Sequence, residues 1–227
     1  MGKKSLALFL LFSLFMLTGC RHQRPWQSSQ DCLLRLPMES RQAVVVTTDG
    51  LSSSGAAIHL FERENGTWRP VDGPIAAVVG RNGLAQPGEK REGDGRTPMG
   101  TFLLERGFGY EPLQTKIPYI VLTPDMIWID DPSSPLYNTL TMKGEGLGLS
   151  HEIMRRTDDL YKYGIVIEYN TKETLPGAGS AIFFHIWRND EAPTSGCVAA
   201  AETDILRILH WLDPRQHPMA VIGDACP

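Results

Sequence analysis

The sequence predicts a predominantly β domain with a few helices, an α+β fold built on a sandwich or barrel-like sheet. Two observations carry this: a succession of short β-rich runs separated by turn residues, and one amphipathic helical stripe near the C-terminus. The runs are AVVVTT (43–48), AAIHLFE (56–62), IAAVVG (75–80), MGTFLL (99–104), YIVL (119–122), MIWI (126–129), GIVIEY (164–169) and SAIFFHIW (180–187). Each is rich in β-branched or aromatic residues and bounded by Gly, Pro, Asn or Asp, which is the pattern of short strands in a layered sheet. In AETDILRILHWL, Ile205, Leu206, Ile208, Leu209 and Leu212 recur with helical period. Glu202 and Asp204 fall in its first turn, where the helix dipole favours acids, and Pro214 stops it. There are no internal repeats and no low-complexity tract.

The first nineteen residues carry Lys3 and Lys4, then an apolar run from Leu6 to Leu17. That run is too short for a spanning helix and has the flanks of an export signal. LTGC (17–20) resembles the lipobox of bacterial lipoproteins, which implies a lipid on Cys20 and a membrane anchor there. Arg21 after that cysteine points to the periplasmic face of the outer membrane. The expected organisation is a signal at 1–19, a lipidated N-terminus and tether at 20–40, and a catalytic domain at 41–227. The full chain has 22 Lys and Arg against 26 Asp and Glu; removing Lys3 and Lys4 leaves 20 against 26, a net charge of −6. With that balance and no basic run, nucleic acid is excluded as a partner on electrostatic grounds. About two hundred residues remain, enough for one well-buried domain.

Export permits disulfides. With Cys20 given to lipid, Cys32, Cys197 and Cys226 remain, so at least one has no partner within the chain. Cys32 and Cys226 lie near the two ends of the domain, where chain termini often meet, so these two are expected to pair and leave Cys197 free. Three reduced cysteines is the competing arrangement.

Several motifs fail on inspection. SHEIMRR begins like a zinc-protease motif but has Arg155 where a second histidine is required. GEGLGL lacks the third-glycine spacing of a dinucleotide fingerprint, and GEKREGDGRTPMG lacks the Gly-Lys-Ser/Thr of a phosphate loop. A metal held by Cys197 and His185 would need further ligands from His151, His210 or His217, so no metal and no cofactor are expected.

Cys197 follows Thr194, Ser195 and Gly196 in a turn of small residues, and His185 ends the apolar run AIFFH. A thiol beside an imidazole is a nucleophile with its base, and backbone N–H groups of Ser195 and Gly196 in such a turn can stabilise an oxyanion. The residues alone equally permit a small buried cysteine and a satisfied core histidine.

FFHIWRNDEAPTSGCVA together with GRNGLAQPGEKREGDGRTPMGTFLL resembles the L,D-transpeptidase catalytic domain family, the YkuD type. The resemblance runs from about Val44 to Leu212. It implies a β-rich catalytic fold, Cys197 as nucleophile, His185 as base, and peptidoglycan stem peptides as substrate. It also places Asp159 and Tyr161 in a region that borders the cleft in related sequences. The pattern departs from many members in reading Thr-Ser-Gly-Cys-Val-Ala, so an arginine expected to meet a substrate carboxylate is missing after Cys197. Arg81, Lys90, Arg96 and Arg188 are the candidates to replace it, and Thr194 and Tyr161 the further candidate contacts. The same thioester chemistry serves a transpeptidase, an L,D-carboxypeptidase or an amidase; a non-catalytic wall-binding lipoprotein is the reading of a different class.

Overall fold

A computed structural model describes residues 32–145 and 148–223. The chain begins with β1 (Gln42–Thr48), β2 (Gly55–Glu64) and β3 (Thr67–Val78), a meander whose long β2–β3 hairpin turns at Asn65-Gly66. Both turn residues have positive φ, 50° and 79°, which Asn and Gly accept most readily. Short strands follow: β4 (Leu84–Ala85), β5 (Thr97–Pro98), β6 (Gly100–Leu103), β7 (Gly107–Gly109) and β8 (Tyr119–Val121). Next come β9 (Met126–Ile129), β10 (Leu140–Met142) and β11 (His151–Ile153), then β12 (Tyr163–Val166), β13 (Phe183–Ile186) and β14 (Val198–Ala200). Helix α1 (Glu202–Trp211), a 3-10 turn (Pro214–Gln216) and β15 (Met219–Ile222) complete it.

Ten strands make one mixed sheet in the order β6-β15-β1-β2-β3-β14-β13-β12-β7-β8, with a separate three-stranded sheet β10-β9-β11 and a small pair β4-β5. The mainly β fold with few helices is thus the one the sequence predicts. The helix forms where its apolar stripe lies, and Ile205, Ile208 and Leu209 are fully buried against the large sheet. Its ending at Trp211 leaves Pro214 to open the 3-10 turn, where a missing N–H costs nothing.

The β13 alternation decides where the chemistry sits, since successive side chains of a strand point to opposite faces. Phe184 joins Ile165, Val198 and Ala200 in the core beneath α1. Phe183 turns the other way, into a second core with Phe108, Trp128, Tyr161 and Cys197. Edge-to-face ring pairs bind this second core: Trp128–Phe183 at 5.0 Å, Phe108–Phe183 at 5.1 Å and Tyr161–Phe183 at 5.7 Å between centroids. Such pairs contribute about 0.5–1.5 kcal/mol each beyond the area they bury. Trp128 belongs to β9, so the aromatic cluster is what fastens the three-stranded sheet to the large one.

Of the segment expected as a tether at 20–40, residues 32–40 are described. Cys32, Leu33 and Leu36 are buried against Val45, Phe61 and Val221, so the packed domain starts ahead of residue 41. The Arg63 guanidinium and the Trp68 indole also donate to backbone carbonyls of this segment. Cys32 is disulfide-bonded. Its expected partner Cys226 and Cys20, the expected lipid site, lie outside the described residues.

Candidate active site

Cys197 lies a few residues before α1, and one short strand separates the two. It is the last residue before β14, which runs parallel to β13 with His185 opposite Ala199. One step back along that register sets Cys197 beside Phe183. Because β14 is buried between β3 and β13, the cysteine enters the middle of the sheet, not its edge. Ala199 is small, and opposite His185 it leaves space above the sheet.

The turn before Cys197 is held from several sides. The Thr194 hydroxyl donates to the Cys197 carbonyl (2.7 Å) and accepts from the Gly196 N–H (3.0 Å). Thr97, fully buried, donates to the same carbonyl (3.2 Å) and accepts from Gly80 N–H (2.9 Å). Thr194 also makes a reciprocal backbone pair, donating to Val79 and accepting from Arg81. The Gly196 N–H, expected as an oxyanion donor, is therefore engaged by Thr194. Arg81 is not a lining residue of the cleft; its guanidinium donates to Ser195 Oγ (3.1 Å) and braces the turn.

Cys197, His185, Tyr161, Thr194 and Arg188 meet at one cavity of about 510 Å³, which Lys90, Glu152 and Arg156 also line. Cys197 is 8 % exposed and His185 7 %. The sulfur donates to the Ala181 carbonyl at 3.2 Å, and the Phe183 N–H donates to the sulfur. Burial pushes the thiol up to about 12, against a smaller lowering by the Phe183 N–H. Burial likewise pulls His185 down to about 4. His185 Nδ1 lies 2.7 Å from the Ile186 carbonyl, which can only accept; Nδ1 therefore carries the proton and Nε2 holds the free lone pair. Both groups are thereby held neutral at pH 7, so no thiolate–imidazolium pair is preformed.

Tyr161 packs its ring edge-on to His185 (5.2 Å, 74°) and donates its hydroxyl to Glu152 (3.2 Å). It is thus both a packing residue and a wall of the cleft. Arg156 lies over the Tyr161 ring at 5.2 Å, bonds Glu152 at 2.6 Å, and makes a bidentate pair with Asp158 at 2.8 and 2.6 Å. The Asp158 hydrogen bonds hold Arg156 above the ordinary guanidinium range and hold the Asp158 carboxyl below the ordinary carboxylate range. Lys90, 4 % exposed, pairs with Asp94 at 2.8 Å and is not the solvated group its sequence context suggests.

Sequence reasoning missed Glu152 and Arg156. Both lie in the stretch set aside as a failed zinc motif, where the pair is four residues apart but spans a strand and a turn, not a helix face. Arg188 reaches the rim, 68 % exposed and 3.8 Å from Asp158. Arg96 contributes its backbone beneath Gly196. The histidines weighed as metal ligands, His151, His210 and His217, are exposed.

No curated protein matches the chain. Among solved structures, the helical cell shape determining protein Pgp2 from Campylobacter jejuni shares 13 % identity over 80 % of this chain, with a TM-score of 0.44. The aligned region is 47 % of that protein, so this chain spans about half its length. The model of the L,D-transpeptidase catalytic domain matches residues 44–221, nearly the whole of the described domain. The chain belongs to the L,D-transpeptidase catalytic domain family.

Proposed function

We propose that the protein is a cysteine acyltransferase acting on peptidoglycan stem peptides, with Cys197 as nucleophile and His185 as base. The observation that carries this reading is the convergence of the one free thiol among the described residues and an Nε2-accepting imidazole on a single cavity.

Because the thiol is raised and the imidazole lowered, proton transfer accompanies attack. The Sγ–H proton passes to His185 Nε2 as the sulfur bonds the carbonyl carbon of the amide between an L- and a D-centre. The carbonyl π pair moves to oxygen, and the Cys197 N–H, at the end of the braced turn, is the backbone donor the reading assigns to that oxyanion. Collapse breaks the C–N bond, and the His185 proton leaves with the amine. The resulting thioester is then opened by an acceptor amine, whose proton returns through His185 to the sulfur. Water in place of the amine gives carboxypeptidase or amidase products by the same steps.

The test is to incubate the full chain with tetrapeptide-stem muropeptides, with and without a free acceptor amine, and to resolve the products by mass. Cross-linked product rising with acceptor concentration is expected. Stem shortening that acceptor amine does not suppress would reassign the protein as a hydrolase, and no product from any stem would remove peptidoglycan as substrate.

A further inference from the structure

The sulfur of Cys197 rests between two groups of one segment. The Ala181 carbonyl accepts its proton and the Phe183 N–H donates to it. Ala181 adopts φ 52°, a left-handed conformation that a non-glycine residue keeps only where its surroundings impose it. The group that imposes it is Asn138, 3 % exposed on the loop between β9 and β10.

Asn138 Oδ1 accepts from the Ala181 N–H (3.0 Å) and from the Trp128 indole N–H (2.8 Å). Its Nδ2 donates to the carbonyls of Tyr169 (3.1 Å) and Asn170 (2.7 Å). A carboxamide has two acceptor sites and two donors, so this one is saturated and its orientation is fixed. One buried side chain thereby ties the three-stranded sheet, the segment after β12 and the approach to β13 into a single frame. The Ala181 carbonyl is aimed by that frame.

We propose that Asn138 is a positioning residue for the nucleophile: by fixing the Ser180–Ala181 peptide, and through it the φ of Ala181, it aims the Ala181 carbonyl and holds Cys197 as a thiol bonded to that carbonyl until a substrate draws the proton to His185. A thiol donates to that carbonyl, whereas a thiolate faces its lone pairs and keeps only the Phe183 N–H. The seat therefore opposes ionisation before substrate arrives and protects an otherwise reactive thiol from alkylation and oxidation. The functional meaning rests on the reading of Cys197 as nucleophile, but the seat itself is tested without substrate.

The experiment follows alkylation of Cys197 by iodoacetamide against pH, in the full chain, with the modified peptide identified by mass. Wild type is expected to react ever faster to pH 10 without a plateau. Asn138→Gly keeps the left-handed backbone, φ 60° at this position, and removes only the side chain. Its profile is expected to move down by about one pH unit, with about tenfold faster alkylation at neutral pH. The other charged or titratable groups facing the sulfur, Glu152 and Tyr161 that oppose the thiolate, Lys90 and Arg156 that favour it, and His185, are unchanged in the variant. A wild-type plateau at or below the range of an ordinary thiol, or a folded Asn138→Gly protein with the wild-type profile, would overturn the proposal. Should that variant fail to fold, amide exchange in wild type decides. Protection of the Ala181 N–H equal to that of the core strands supports the seat, and exchange as fast as at exposed Lys172 overturns it. Because iodoacetamide needs no stem peptide, this result is independent of whether stem peptides are the substrate.

Discussion

Replacing Cys197 with alanine is expected to abolish product formation from stem peptides, by at least about 10⁴-fold, while leaving the protein folded. The two halves of that expectation have different causes. Alanine has no atom that can form the acyl intermediate, and no other free thiol occurs among the described residues to substitute for it. Folding survives because the change removes one buried atom from a cluster held by the Phe108, Trp128, Tyr161 and Phe183 rings, a loss of about 1–2 kcal/mol by the cost of small core deletions. Serine is expected to be equally inactive despite restoring the volume and the donor to Ala181. Its hydroxyl is a far weaker acid than a thiol, and His185, pulled down to about 4 by burial, is too weak a base to compensate. The measurement is turnover by product mass beside a thermal melt. Retention of more than a few per cent of wild-type turnover by a folded alanine variant would mean that the nucleophile lies elsewhere.

The second large effect is expected at Gly196. Its φ of 149° lies where side chains are rarely tolerated, and a Cβ built there would stand 2.9 Å from the Arg96 carbonyl oxygen and 3.4 Å from Ile182 Cδ1. The first contact is with backbone, so the glycine must move and the neighbour cannot. Thr194 grips both the Gly196 N–H and the Cys197 carbonyl, so a shift at Gly196 is passed to Cys197. Gly196→Ala is therefore expected to lower kcat about 100-fold, the effect of a displacement near 1 Å at a reacting atom. The strain, about 1–3 kcal/mol, should lower the melting temperature by about 2–12 °C. A variant with wild-type kcat would show that the turn does not set the sulfur's position.

Much of this architecture is written in local sequence pattern. The α1 stripe, the β1 run and the FFHI strand are each specified by residues within ten positions of one another, and each forms where expected. The first half of β3 was legible and passed over. Asn65-Gly66 between β runs is a hairpin signal, but Pro70 and Pro74 argue against a strand, and the hairpin accommodates them because that stretch pairs only with β2. β14 was not legible. Val-Ala-Ala has no alternation, and its place is fixed by parallel pairing to a strand that ends twelve residues earlier, which is a fact of topology.

The site divides in the same way. Cys197 and His185 stand out because few chemistries use those residue types together. Glu152, Arg156 and Asn138 come from the three-stranded sheet and its connections, and a sequence cannot show that these segments close over β13 until the Trp128–Phe183 contact is known. The missing arginine after Cys197 points to Arg81, Lys90, Arg96 and Arg188, of which Lys90 and Arg188 do line the cavity. Arg156 lines it too, fixed by Glu152 and Asp158 in a stretch whose failed resemblance to a metal motif concealed it.

The central claim is that Cys197 carries the acyl group, and the most direct test is the intact mass of the protein quenched in acid during incubation with a tetrapeptide stem without acceptor amine. The account predicts an adduct of the stem less its terminal D-residue, mapped to the Cys197 peptide and released by hydroxylamine. Product formation with no adduct on Cys197, under conditions where an added acceptor is consumed, would contradict it.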